Sequence, residues 1–224
     1  MISAFEKVHV VTQGETPTEN KFAEFDYCIP LCDEGVFIEL GVWFGRSISY
    51  MAAWNPDKHF YGFDTFEGVD EVWETGGKTL DMKRFFVKDP DNINPDTGLP
   101  KVPDNVTLIK GMFQDTLEPF VETTLKDQKL AFINMDPDIY SATKYALETL
   151  NNNIKPGTII RFDELSDWAH LGWNWGLGKP TYAPYSKWKE GEYKALVEWL
   201  WEFDREVEPL WRNWHQAAGV KVVK

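Results

Sequence analysis

The stretch Phe37-Ile-Glu-Leu-Gly-Val-Trp-Phe-Gly-Arg-Ser-Ile-Ser-Tyr-Met-Ala-Ala-Trp54 joins two patterns in eighteen residues. From Val36 to Leu40 it is a short apolar run broken by one glutamate, the mark of a buried strand. From Phe44 to Ala53 the apolar residues recur at helical spacing. Gly41 and Gly45 fall in the turn between. A strand that passes through a glycine turn directly into a helix is the opening unit of an α/β sheet.

Working outward, the same alternation recurs. His59 to Asp64, Val106 to Lys110, Lys129 to Met135 and Thr158 to Phe162 read as four further strands. Helices are expected from about Thr116 to Lys126, Ser141 to Asn152 and Glu190 to Glu206, the last stacking Leu196, Trp199, Leu200, Phe203 and Val207. The tail Gln216 to Lys224 reads as a short strand at a sheet edge. Alternating strands and helices predict a Rossmann-like, mostly parallel sheet with helices on both faces. The chain reads as a single domain, 1–224, with loop insertions at about 67–105 and 167–187. Both insertions follow the carboxyl ends of strands, where open α/β sheets bind ligands.

Composition narrows the function. A net charge of −13 with no basic run argues against a nucleic-acid partner. No run approaches the ~20 apolar residues that span a bilayer, and the start of the chain lacks a secretory pattern. Cys28 and Cys32, without a second pair or a nearby histidine, read as reduced thiols rather than a zinc site. The expectation is a cytoplasmic protein with a small-molecule substrate, with a homo-oligomer left open.

The strand ends carry the chemistry. Glu39 is suited to an ammonium group, while Gly41 and Gly45 let a ligand approach the backbone and the following helix N-terminus. The spacing G-x-x-x-G differs from the G-x-G-x-x-G of dinucleotide binders, so pyrophosphate is disfavoured. The set fits an amino-acid-like end, such as the methionine portion of S-adenosylmethionine; a tight turn with an incidental glutamate is the competing reading. Asp64, ending the second strand, is placed to accept ribose hydroxyls. Asp136 ends the fourth strand and Asp163-Glu164 the fifth. Adjacent strands lie about 4.8 Å apart, so these carboxylates converge and would repel unless a cation is shared. All-oxygen ligands favour Mg²⁺, with Ca²⁺ and Mn²⁺ as alternatives and capping aspartates as the plain reading.

The segments FIELGVWFGRS, YGFDTFEGV, KGMFQDTL, INMDPDIYSATKYALETL and PGTIIRFDEL run in order from about Val36 to Leu165. Together they resemble the macrocin O-methyltransferase family, S-adenosylmethionine enzymes that act on sugar hydroxyls in antibiotic biosynthesis. The resemblance implies a class I methyltransferase fold, a seven-stranded sheet whose last strand is antiparallel, and a divalent metal site. It assigns Glu39, Gly41 and Gly45 to the cofactor's methionine end, Asp64 to its ribose, and Gln114 and Asp115 to the stretch beside its adenine. It assigns Asp136, Asp163 and Glu164 to the metal, although the family usually carries two aspartates at the last pair. Asp136 is also a candidate proton acceptor. The resemblance fades after Leu165. Eight of the eleven tryptophans lie between Trp168 and Trp214, and Trp168, Trp173, Trp175 and Trp188 could stack on a sugar or anchor the loop. His170, the histidine nearest that mouth, is placed to take a proton, against a competing role in packing. The expected activity is metal-assisted O-methylation of a small molecule. The rivals are an N-methyltransferase on a small amine and a cofactor-binding module without turnover.

Overall fold

The structure, a computed structural model, describes residues 1–11, 17–75, 78–84, 91–168, 187–213 and 215–224. Its centre is a run of five parallel strands: β2 (Val36–Leu40), β3 (Phe60–Asp64), β6 (Val106–Lys110), β7 (Leu130–Met135) and β8 (Ile159–Phe162). With β1 (His9–Val10), β9 (Val207–Arg212) and β10 (Ala218–Val222), the order across the sheet is β1-β9-β10-β8-β7-β2-β3-β6. β10 is antiparallel to both neighbours, and the two-residue β1 adds to β9 in parallel. The sheet is therefore the expected seven strands with one short edge strand, eight in all.

The order reverses between β2 and β7, and that reversal opens a crevice at the strand ends. Period-two alternation sorts the core into two layers. Ile38, Leu40, Phe63, Ile133 and Met135 pack with α3 (Phe113–Phe120), α4 (Tyr140–Thr149) and α5 (Glu192–Glu202). Phe37, Phe60, Phe132 and Ile159 face α1 (Pro17–Cys28) and α2 (Arg46–Trp54) on the other side. Phe22 of α1 stacks on Tyr50 of α2, with centroids 4.1 Å apart.

Three expectations are corrected. The tail strand is not at an edge: β10 lies between β8 and β9, because Val207–Arg212 leaves the preceding helix and forms a strand beyond it. That helix ends at Glu202, so Val207 belongs to β9 and not to a helical stripe. The helix after β6 begins at Phe113 and continues from Val121 to Leu125 as a π-helix, past Pro119. Within the first insertion, β4 (Val72–Thr75) and β5 (Lys78–Asp81) pair antiparallel. Cys28 and Cys32 are free thiols, the former buried and accepting the Trp211 indole N–H at 2.8 Å. Among the described residues no helix is long and apolar enough to cross a membrane.

Candidate active site

The first turn shows why its glycines are needed. Gly41 has φ +91°, and a Cβ there would sit 2.0 Å from the carbonyl oxygen of Asp136. The residue must be glycine because the end of β7 passes against it. Gly45, with φ +74°, is the N-cap of α2. Between them Trp43 is also left-handed, at φ 49°, a conformation that a side chain beyond glycine holds only when its surroundings impose it. Asp64 imposes it. Its Oδ2 accepts the N–H groups of Val42 at 2.8 Å and Trp43 at 2.7 Å, while Oδ1 accepts that of Phe66 at 2.7 Å. Most of this carboxylate's acceptor capacity fixes the loop, leaving about one lone-pair site for a ligand.

Below the loop runs a buried polar row. Register places Glu39 beside Asn134 and Asn134 beside Arg161 on three neighbouring strands. Asn134 donates to Glu39 Oε1 at 2.6 Å, and Arg161 donates to Asn134 Oδ1 at 2.9 Å. Arg161 also donates twice to Glu24 Oε2 of α1, at 2.8 and 2.6 Å, and pairs with Asp163. Glu39 is 1% exposed, its Oε2 has no partner among the described residues, and it does not line the cleft. Burial pushes its carboxyl up to about 8, with the Asp136 charge adding to the effect.

At the other end the strand-end carboxylates do converge, in a set that differs from the expected one. Asp136, Asp138 and Glu164 each offer an oxygen within 4.8 Å of the others. Asp163 is not in this group; it faces Arg161 and the ammonium of Lys21, 3.2 Å away. Lys21, on α1, also lies 2.6 Å from Asp136 Oδ2. Burial opposes a charge on Asp163, yet Lys21 and Arg161 hold its carboxyl well below the ordinary range. Burial and the Asp163 charge push Asp136 up to about 7. Burial, with neighbouring carboxylates adding to it, holds Asp138 and Glu164 well above the ordinary range. Glu164 is 2% exposed, with Oε1 bonded to Gln216 at 2.9 Å and Oε2 without a partner among the described residues. An all-oxygen set with an orphaned buried carboxylate oxygen fits a hard divalent cation.

Both ends open into one cleft of about 550 Å³. Its wall includes Gly41, Asp64, Gln114, Asp136, Asp138, Asp163 and Glu164. Gly45 and Asp115 do not line it: Gly45 caps α2 from behind, and Asp115 is an exposed residue in the first turn of α3. The hairpin side contributes Glu71, Trp73 and Met82, and Ser141 of α4 donates to Glu71 at 2.7 Å. Trp168 is fully buried, donating its indole N–H to the Ala217 carbonyl, and Trp188 is 9% exposed; both are packed. His170, Trp173 and Trp175 lie outside the described residues.

Residues 38–165 match the profile of the family described as "Methyltransferase domain". The chain belongs to that family. A relative from Streptomyces olivaceus, 8-demethyl-8-(2,3-dimethoxy-alpha-L-rhamnosyl)-tetracenomycin-C 4'-O-methyltransferase, is 29% identical over 62% of this chain. The match spans 57% of that protein's length. Among solved structures, the calicheamicin methyltransferase CalS11 superposes over 92% of this chain and 80% of its own, with TM-score 0.65 and 22% identity. The MycE methyltransferase of mycinamycin biosynthesis, solved with Mg and SAH, covers 95% of this chain and 51% of its own, with TM-score 0.51 and 14% identity. These structural likenesses concern the fold, which is that of a class I methyltransferase.

Sequence reasoning did not single out Lys21, Glu24, Asn134, Asp138 or Arg161 as site residues. For two of them a signal existed. Asn134 and Arg161 are polar residues inside otherwise apolar strands, and a buried polar side chain is more informative than an exposed apolar one. Asp138 stands in the Asp136-Pro137-Asp138 segment, but its inward placement depends on a left-handed backbone at φ 66°.

Proposed function

We propose that the protein is an S-adenosylmethionine-dependent O-methyltransferase of the macrocin type, acting on a hydroxyl of a sugar or glycosylated small molecule. The observation that carries this reading is that one cleft joins the Gly41–Asp64 turn to the carboxylates of Asp136, Asp138 and Glu164. The names of the sugar and natural-product methyltransferases that share its sequence or fold support the choice of acceptor.

S-adenosylmethionine supplies an electrophilic methyl on a sulfonium sulfur. Asp64 offers its remaining acceptor site to the ribose, Gln114 lies beside the adenine, and the Gly41–Gly45 turn receives the methionine end. Glu39, expected to pair with the ammonium of that end, is buried outside the cleft wall and instead anchors the polar row beneath the loop through Asn134. Asp136, Asp138 and Glu164 would hold a divalent cation, while Asp163 stays paired with Arg161 and Lys21; when bound, such an ion lowers the pKa of an acceptor hydroxyl. Asp136 takes the hydroxyl proton. The acceptor oxygen forms its bond to the methyl carbon as the carbon–sulfur bond breaks, and that electron pair leaves on sulfur as a neutral thioether. Holding donor and acceptor in line removes much of the entropic barrier.

The test is incubation with S-adenosylmethionine and a panel of deoxysugar nucleotides, glycosides and small amines, with and without chelator. Transfer to a sugar hydroxyl that is lost in Asp136→Asn is the expected result. Methylation of amines alone, or cofactor binding without any turnover, would overturn the reading.

A further inference from the structure

We propose that Lys21 is a resident counter-cation of the carboxylate site, which a divalent ion must displace from Asp136, so that this side chain sets the site's affinity for metal. The inference rests on the metal reading above. It concerns a residue of α1, outside the segment 38–165 that carries the family match.

The ammonium of Lys21 lies 2.6 Å from Asp136 Oδ2, and Asp136 is also one of the three carboxylates that converge with Asp138 and Glu164. One carboxylate thus serves two cation positions. A divalent ion on Asp136 would stand within a few ångströms of the ammonium, in a partly desolvated cleft where like charges are screened little. Lys21 has somewhere to go: Asp163 Oδ1 is 3.2 Å away in the same arrangement. Arg161 already pairs with Asp163 and Glu24, whereas Lys21 lines the cleft and lies within 4 Å of both Asp136 and Asp163. Retreat from Asp136 toward Asp163 frees the first carboxylate without expelling the lysine from the site. Lys21 is in this sense a positioning residue: it compensates Asp136 when no ion is bound and gives way when one is.

Mn²⁺ binding to the full chain, followed by electron paramagnetic resonance and by calorimetry with Mg²⁺ as competitor, reads this directly. Lys21→Met should bind Mn²⁺ about tenfold more tightly or better, and Lys21→Arg should stay within about threefold of wild type. Circular dichroism and cofactor binding check that the variants fold. A second measurement needs no variant. Acetylation of wild-type lysines, mapped by mass spectrometry, should rise several-fold at Lys21 when Mn²⁺ is added, with Lys58 as internal reference. Equal or weaker Mn²⁺ binding by a folded Lys21→Met would overturn the proposal, and so would labelling of Lys21 that is unchanged or reduced. If wild type and variant alike bind no Mn²⁺, the metal reading fails and this inference fails with it. If wild type binds but neither readout moves, only the role of Lys21 is lost.

Discussion

The carboxylate of Asp64 accepts N–H bonds from Val42, Trp43 and Phe66, so the loop proposed to receive the cofactor owes its shape to the residue proposed to bind the ribose. Removing it should act twice. Asp64→Ala should weaken S-adenosylmethionine binding at least tenfold and also destabilise the fold, since each hydrogen bond to a charged group contributes about 1.5–3 kcal/mol. Calorimetry on the folded variant checks the first effect and urea unfolding the second; unchanged affinity would remove Asp64 from the cofactor site. Glu39 allows a different test. Its folded value of about 8 lies above the ordinary 4.5, so the folded protein keeps a proton that the unfolded chain releases between the two. The contribution of Glu39 is therefore fully present below about pH 4.5 and is lost as pH rises through about 8, by at most about 1.4 kcal/mol per pH unit. Glu39→Gln keeps the acceptor for Asn134 and loses the titration. Its stability relative to wild type should grow from about pH 5 to about pH 8, and a flat difference would mean the carboxyl is not held neutral.

At the scale of elements, α1 completes the polar cluster at the ends of β7 and β8. It brings Glu24 onto Arg161, Phe25 beneath the same guanidinium at 5.1 Å, and Lys21 onto the strand ends. Arg161→Leu would leave Glu24 and Asn134 buried without their main partner. Breaking a buried pair from one side costs about 3–5 kcal/mol, so urea unfolding should show a loss of that size. A loss below about 1 kcal/mol would mean that α1 is held by its apolar face alone. The hairpin β4–β5 is the second element added to the ordinary alternation, and it reaches the cleft through Glu71 and Trp73.

For the whole molecule, folding gathers acids that the chain keeps far apart. Asp138 and Glu164 each gain stability from losing their charge or from a shared cation. Glu164→Gln should therefore raise thermal stability in chelator while abolishing the further rise that Mn²⁺ gives to wild type. A ligand at about 100 times its dissociation constant stabilises by about 2.7 kcal/mol, well within the reach of calorimetry. An equal Mn²⁺ response in wild type and variant would exclude Glu164 from the ion.

The sequence by itself determined the five parallel strands. Val36–Leu40 and Val106–Lys110 fall where they were read, and Phe60–Asp64, Leu130–Met135 and Ile159–Phe162 start one residue later. Short apolar runs bounded by glycine, proline and acidic residues allow few alternatives once both faces are buried. It also determined that Gly41, Asp64 and Asp136 stand at strand ends. The rest was decided by tertiary structure. Nothing local in Pro17–Cys28 says that its polar side chains turn inward, because Glu24 is buried only when Arg161 is there to receive it. The tail strand read as an edge because β10 is flanked by β8, some fifty residues earlier in the chain, and by β9, whose own second neighbour is β1 at the start of the chain. Which carboxylates meet was likewise settled across strands. Arg161 and Lys21 draw Asp163 aside, and a left-handed Asp138 comes forward with Asp136 and Glu164. Charges choose partners by distance in space, and that distance is not written along the chain.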